Sequence, residues 1–179
     1  MAHLSLSAVG VDQPGIVAAV SGVLVDLGCN LEDSTMSILQ GQFAMVLVVA
    51  NPEGVDAGRL EEALAPVAAR FGLVVVVRPF VEVEGGEPAG HEPWTVSVHG
   101  GDRIGIVHAV ASALAEEGGN VVDLSTHLVG GADAPLYVMT VRATLPAGSA
   151  GVAAAARVEQ AATALGVRCT VHRDDADVL

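Results

Sequence analysis

The chain has 179 residues, enough for one domain or two small ones, and 51% of them are hydrophobic. Its net charge is −13 and all eight basic residues are arginine. This balance argues against nucleic acid and anionic membranes, because both are bound through cationic side chains. Aromatic residues make up only 3%, so the core must consist of Val, Ala, Leu and Ile.

The sequence shows no sign of export, membrane insertion or metal binding. The first residues lack a basic segment followed by a long apolar core, and the longest apolar run, residues 43–50, is too short to span a bilayer. Cys29 and Cys169 have neither a C-x-x-C nor a metal-ligand spacing, which indicates small buried residues in a reducing cytosol. We therefore expect a soluble, cytoplasmic protein with no metal and no cofactor.

Residues 1–81 predict the order strand, helix, strand, strand, helix, strand. Residues 4–9 alternate as a strand, and a helix with apolar residues at helical spacing follows. Two further runs, 30–40 and 43–50, predict a hairpin. The second helix, over 56–71, contains Pro66, which should kink or split it, and a β-branched strand then ends the unit.

The run Asp12-Gln13-Pro14-Gly15 lies between the first strand and the first helix. Asp12 suits a helix N-cap, because its carboxylate can accept from the free N–H groups of the first turn, and Pro14 is tolerated there. Gly15 lets a second chain or a ligand approach the backbone closely. Asn30 lies where the next strand begins.

The pattern of the first 81 residues occurs twice. Residues 82–93 are rich in Glu, Gly and Pro and predict a linker, a second unit follows over 94–174, and residues 175–179 predict a frayed acidic tail. Five identities recur at a spacing of 90 residues, which indicates an internal duplication. They are Asp12/Asp102, Gly15/Gly105, Ile16/Ile106, Leu24/Leu114 and Asn30/Asn120.

Two βαββαβ units predict an α+β protein made of two tandem ferredoxin-like domains, each an antiparallel sheet with its helices on one face. An RNA-binding module of this topology would need exposed aromatic residues and basic surroundings, and a metal carrier would need Cys-x-x-Cys in the first loop. An acylphosphatase-like enzyme would need an arginine there, which is present as Arg103 but replaced by Gln13 in the first unit. Ser34, Ser125 and His127 lack the Gly-x-Ser-x-Gly motif of a hydrolase.

The run DQPGIV (12–17), with Gly28-Cys29-Asn30 after the helix, resembles an ACT domain, the small-molecule regulatory module. Residues 11–49 are similar to the tandem-ACT proteins of the glycine cleavage system transcriptional repressor group. The resemblance covers nearly the whole chain, although Ile104 replaces Pro14 in the second copy and leaves that loop less preorganised. It implies two ACT-like domains that bind an amino acid and carry out no catalysis.

The resemblance also implies where the ligand lies: at an interface between paired domains, beside the first strand–helix loop. Backbone N–H groups around Gly15 and Ile16 would meet the ligand carboxylate, in agreement with the affinity of helix N-termini for anions. A side-chain amide at Asn30 can both donate and accept, which suits an α-amino acid. The complete set of implied ligand contacts is Asp12, Gln13, Pro14, Gly15, Ile16, Asn30, Asp102, Arg103, Gly105, Ile106 and Asn120.

Each of these residues also has a purely structural interpretation. Asp12 and Asp102 would serve as N-caps, Gly15 as a helix-packing glycine and Asn30 as a turn residue at a strand entry. Related sites for serine or glycine often add a His or a second Asn where this chain has Gly10, so the ligand identity stays open.

We expect a regulator that binds an amino acid such as glycine or serine and signals by protein–protein contact to a transcription factor or an enzyme. The acidic surface suits a basic protein partner better than DNA. Exposed sheet edges could pair within one chain or between chains, and a homodimer is expected. The alternatives are an interaction module that binds nothing small and a detached regulatory subunit of an amino-acid-metabolising enzyme.

Overall fold

A computed structural model describes residues 2–52, 54–80, 90–130 and 135–174. The chain divides into two compact units, Met1–Val83 and Glu84–Leu179, and the division falls within the predicted linker. Linker residues 82–89 and the predicted acidic tail, 175–179, lie outside the described residues.

The first unit has the predicted βαββαβ order. Its four strands form one antiparallel sheet in the spatial order β2-β3-β1-β4. Its elements are β1 (Ala2–Val11), α1 (Ile16–Asp26), β2 (Asn30–Leu39), β3 (Gln42–Asn51), α2 (Ala57–Phe71) and β4 (Val74–Pro79).

The second unit repeats this arrangement, with the sheet order β6-β7-β5-β8. Its elements are β5 (His91–Gly101), α3 (Ile106–Glu116), β6 (Asn120–Val129), β7 (Leu136–Pro146), α4 (Ser149–Thr163) and β8 (Arg168–Arg173). Because β5 begins at His91, the last three residues of the predicted linker belong to a strand. The prediction of two tandem ferredoxin-like domains is confirmed.

Each unit has its own core between the sheet and the two helices. On β1, Leu4 and Leu6 are buried and alternate with half-buried serines, as a strand covered on one side requires. Ile16, Val20 and Leu24 form the buried stripe of α1, at successive intervals of four residues. This packing fixes the first helix over the central strand.

The expected break at Pro66 is wrong, because α2 is continuous from Ala57 to Phe71. Pro66 lies on the exposed side of the helix, and Leu60 and Leu64 on the opposite side are fully buried. Packing of that apolar side stabilises a helix that local propensity alone would interrupt. Asp56 caps α2, its carboxylate accepting a 2.8 Å hydrogen bond from the N–H of the first turn.

The edge strands β2 and β6 are ten residues long and exposed along their whole length. Side chains of β2 that point toward the helices, such as Leu31, Met36 and Ile38, remain 44–54% exposed. The pairing register shifts after Leu31 in β2 and after Val121 in β6, which places a bulge near the start of each strand. Each unit therefore presents an open edge with partly uncovered apolar side chains.

Candidate functional site

A left-handed glycine joins the first strand to the first helix of each unit. Gly15 has φ 98° and ψ −5°, and Gly105 has φ 99° and ψ −2°. Residues with a side chain rarely adopt this left-handed backbone conformation, so both positions strongly favour glycine. The two loops reach the same backbone conformation at this point, although Ile104 occupies the place of Pro14 in the second.

Asp12 and Asp102 do not cap their helices, contrary to the prediction. The N-cap positions belong to Gly15 and Gly105, and no side chain accepts a hydrogen bond there. The backbone N–H of Asp12 instead donates to the carbonyl of Gly41 (2.9 Å), which ties the loop to the turn between β2 and β3. The N–H groups of the first helical turn therefore have no side-chain cap, at the positive end of the helix dipole.

The residues that follow the aspartates anchor the loops. The Gln13 side-chain amide donates a 3.0 Å hydrogen bond to the carbonyl of Phe71, the last residue of α2. The Arg103 guanidinium lies against Gly166, so close that a Cβ there would be 3.3 Å from its Nη1. Neither contact involves Ile104, which lies at the tip of the second loop and is fully exposed.

The second loop forms one wall of an open depression. Residues Asp102–His108 and Tyr137 line it, so the structure brings together the predicted site residues of this loop. Burial and the charge of Asp102 both raise the pKa of the Tyr137 hydroxyl. Tyr137 is not among the site residues that the sequence predicts. The strand register would have been needed, because it places Tyr137 opposite Gly100 and Phe43 opposite Gly10 in the first unit.

Asn30 lies far from the loop of its own unit. It pairs with Ala50 at the start of β2, whereas the Asp12 loop is bonded to Gly41 beyond the other end of that strand. Ten residues of strand separate the two ends, about 30 Å at the usual rise per residue. Asn120 occupies the same position at the start of β6, so neither unit by itself joins its asparagine to its loop.

Gly10 and Gly100 are fixed by close packing rather than by backbone conformation. A Cβ on Gly10 would lie 2.7 Å from Cδ2 of Leu73, and one on Gly100 would lie 3.0 Å from Cγ1 of Val167. The residues before β4 and β8 therefore fill the space that a His or Asn would need.

An apolar cavity of about 150 Å³ lies between α1 and the edge strand β2. Leu24, Leu31 and Met36 are among its lining residues, and Ser21 and Ser34 add hydroxyl groups. An apolar cavity of about this size holds a benzene-sized group in other proteins. The first unit therefore has room for a small apolar group beside its open edge.

The two cysteines have the environment that their sequence positions predicted. Both are buried and free. Burial raises the pKa of Cys29, and burial together with Glu159 raises the pKa of Cys169 to about 11. Neither thiol therefore supplies a reactive thiolate near neutral pH.

Metal-ligand clusters and membrane-spanning helices are both absent from the part of the chain that the structure describes. Among these residues there is no group of three or more His, Cys, Asp or Glu placed to hold a metal ion. None of the helices there is long and apolar enough to cross a membrane.

The chain is similar in sequence to known proteins. A family profile for the ACT domain matches residues 2–78. A UPF0237 protein of Methanopyrus kandleri is 37% identical over 79 residues, which cover 44% of this chain and 88% of that protein. The chain belongs to the ACT domain family.

Solved structures match both ACT units together. An unknown protein from Galdieria sulphuraria has a TM-score of 0.78 at 29% identity, covering 97% of this chain and 99% of its own. A candidate glycine cleavage system transcriptional repressor has a TM-score of 0.69 at 19% identity, covering 97% of this chain and 98% of its own. The second match shows the shared tandem ACT fold and no more.

We expect Gly15→Ala to lower the free energy of unfolding by about 1–2 kcal/mol, because a side chain must adopt the left-handed conformation. A steric clash is not the cause, since the nearest atom to a Cβ at Gly15 is Cζ of Phe71 at 3.8 Å. Urea unfolding of the intact chain measures the change.

Gly22→Ala is the matched control, because Gly22 lies within α1 and a Cβ there meets nothing within 4 Å. It should stabilise the chain by up to about 1 kcal/mol, through the higher helix propensity of alanine. Equal effects of the two substitutions would contradict the role assigned to the backbone angle of Gly15.

Proposed function

We propose that this protein is a non-enzymatic sensor of a small α-amino acid, such as glycine or serine, and signals by protein–protein contact. One observation carries the proposal. In each ACT unit, the groups suited to an amino acid lie at the two opposite ends of an open edge strand, β2 or β6.

The loop end of this strand suits a carboxylate. The first turns of α1 and α3 follow Gly15 and Gly105 and have no side-chain cap. Free N–H groups at a helix N-terminus bind anions through hydrogen bonds and the helix dipole. Asp12 and Asp102 are exposed in the same loops, and a carboxylate there suits the ammonium group of an amino acid.

The end of β2 that carries Asn30 contributes to the same site only when two copies of the first unit pair. If two β2 strands pair antiparallel, the Asn30 end of one strand lies beside the Leu39 end of the other, next to its loop. The site would then combine the loop of one unit with the Asn30 amide of the other. Such pairing would also cover the exposed edge, which a soluble protein rarely leaves open, and it supports a homodimer.

The surroundings of the site bear on ligand size. Close packing at Gly10 and Gly100 excludes a further polar side chain near the ends of β1 and β5, so a polar side chain on the ligand gains no partner there. The apolar cavity beside β2 offers space for an aliphatic side chain. Glycine and serine are therefore tested against valine and leucine.

A ligand bound between paired units is coupled to their pairing, because it stabilises the state to which it binds. Such a ligand would therefore change the fraction of units that are paired, and a partner protein would respond to that change. The net charge of −13 suits a basic protein surface, on a transcription factor or an enzyme, more than direct contact with nucleic acid.

We expect isothermal titration calorimetry of the intact chain to detect binding of at least one of glycine, serine, valine and leucine. Asn30→Ala should weaken that binding about tenfold, the cost of an amide hydrogen bond to a charged group. Asn120→Ala, the same change in the second unit, measures the contribution of the other edge.

The control for these substitutions is Gln160→Ala, which removes an exposed side-chain amide from α4, a helix that is no part of either proposed site. It should leave the affinity unaltered. Absence of binding by all four amino acids would refute the sensor and favour the ligand-free interaction module. Co-purification of an enzyme would instead favour the detached regulatory subunit.

We expect Ile38→Lys to shift the chain toward the monomer in sedimentation equilibrium, because a lysine on an edge strand opposes pairing with another strand. Ile38 is 54% exposed, so the substitution leaves the core intact. Leu128→Lys is its counterpart on β6, since Ile38 lies opposite Phe43 and Leu128 opposite Tyr137. A wild-type chain that is monomeric at all concentrations would refute edge pairing.

A further inference from the structure

Each sheet has helices on one side, and its other side, here called the open face, differs between the units. The open face of the first sheet is rich in valine. Its valines, half-buried at Val48 and 37–69% exposed at the rest, are Val9, Val11, Val46, Val48, Val74 and Val76. This face therefore has many exposed apolar side chains.

The strand registers give each open-face position a counterpart in the other unit. Val9 lies opposite Val74 across β1 and β4, and His99 lies opposite Arg168 across β5 and β8. By the same rule, Val9, Ser37, Val48, Val74 and Arg78 of the first sheet correspond to His99, His127, Arg142, Arg168 and His172 of the second. The second open face thus carries imidazole or guanidinium groups where the first has mainly valine.

This enrichment runs against the composition of the chain, which has 21 acidic and eight basic residues. Arg168 forms no ion pair among the described residues. Arg142 Nε is 3.6 Å from Asp123, and both side chains are more than 60% exposed, so the pair is weak and leaves guanidinium donors free. In the described part of the chain, the other acidic contact of these side chains is Asp174, which is 3.9 Å from His172.

The donors are spaced to meet an extended chain. The row of His99 and Arg168 and the row of Arg142 and His172 are four residues apart along β5, about 13 Å. In an extended peptide, side chains at positions i and i+4 point the same way and have this separation. Carboxylates at such positions would reach both rows at once, and every imidazole or guanidinium group has an N–H to donate.

We propose that the open face of the second sheet binds an acidic segment of a partner protein. This surface goes beyond the proposed amino-acid site, since it lies on the side of the sheet away from the helices and their loops. Salt limits the reach of exposed charges to about 8 Å, so the acidic residues elsewhere in the chain act only weakly on a segment bound to this face. A short acidic segment there interacts mainly with the N–H donors of the face itself.

The same face is poorly suited to nucleic acid. Its described side chains include no Phe, Tyr or Trp on which bases could stack. A long polyanion would also extend beyond the face and meet the negative charge of the rest of the chain. A carboxylate-rich peptide is therefore the occupant that the face fits.

Fluorescence anisotropy with the intact chain tests the proposal, using a labelled peptide of alternating Glu and Ser as the probe. The double variant Arg142→Gln/Arg168→Gln should weaken binding at least about fivefold, the sum of two exposed charge contacts. Added salt should weaken binding of the wild-type chain in the same direction.

The control double variant, Arg78→Gln/Arg157→Gln, removes the same total charge from the first open face and from α4, where Arg157 pairs with Glu117. It should leave binding unchanged, and circular dichroism should show that both double variants remain folded. No binding of the peptide, or equal weakening by both double variants, would overturn the proposal. Equally tight binding of an oligothymidylate of matched charge would overturn it in favour of a polyanion surface.

Discussion

The left-handed glycine before the first helix of each unit is the constraint on which the rest of the structure depends. Gly15 and Gly105 reverse the chain within a short loop, so that α1 and α3 start directly above their sheets. Because the backbone itself makes the turn, no side chain caps the helix and its first N–H groups stay free. Ile16 and Ile106, the next residues, are buried at once. The same turn therefore buries the first residue of each helix and leaves the N–H groups of its first turn without a side-chain cap.

The two ACT units share a backbone and differ in the chemistry of their surfaces. Their cores need only apolar alternation on strands and helices, a requirement that both units meet. The differences lie around the loops, where Arg103 stands for Gln13 and Tyr137 for Phe43, and on the open faces of the sheets. The units are thus two forms of one scaffold that present different side chains around the same loops and on the same sheet faces.

Much of the fold follows from the sequence, because alternation and helical spacing are local properties and the repeat at 90 residues is visible directly. Two expectations about single residues are wrong, because the propensity of the residue itself does not decide either position. Asp12 has the propensity of a cap, but the turn at Gly15 displaces it from that position. Pro66 has the propensity of a breaker, but the buried side of α2 overrides it. The distance from Asn30 to its loop depends on the strand registers, which spacing along the chain does not encode.

If both bulged edge strands, β2 and β6, pair with other chains as proposed, the chain is bivalent, since it has one such strand in each unit. A molecule with one self-complementary edge closes into a dimer, whereas one with two can continue to add copies. Two-fold pairing at both edges gives a closed ring when the symmetry axes are compatible and a filament when they are not. Bivalence thus makes the number of chains in an assembly a property of geometry rather than of the strength of each contact.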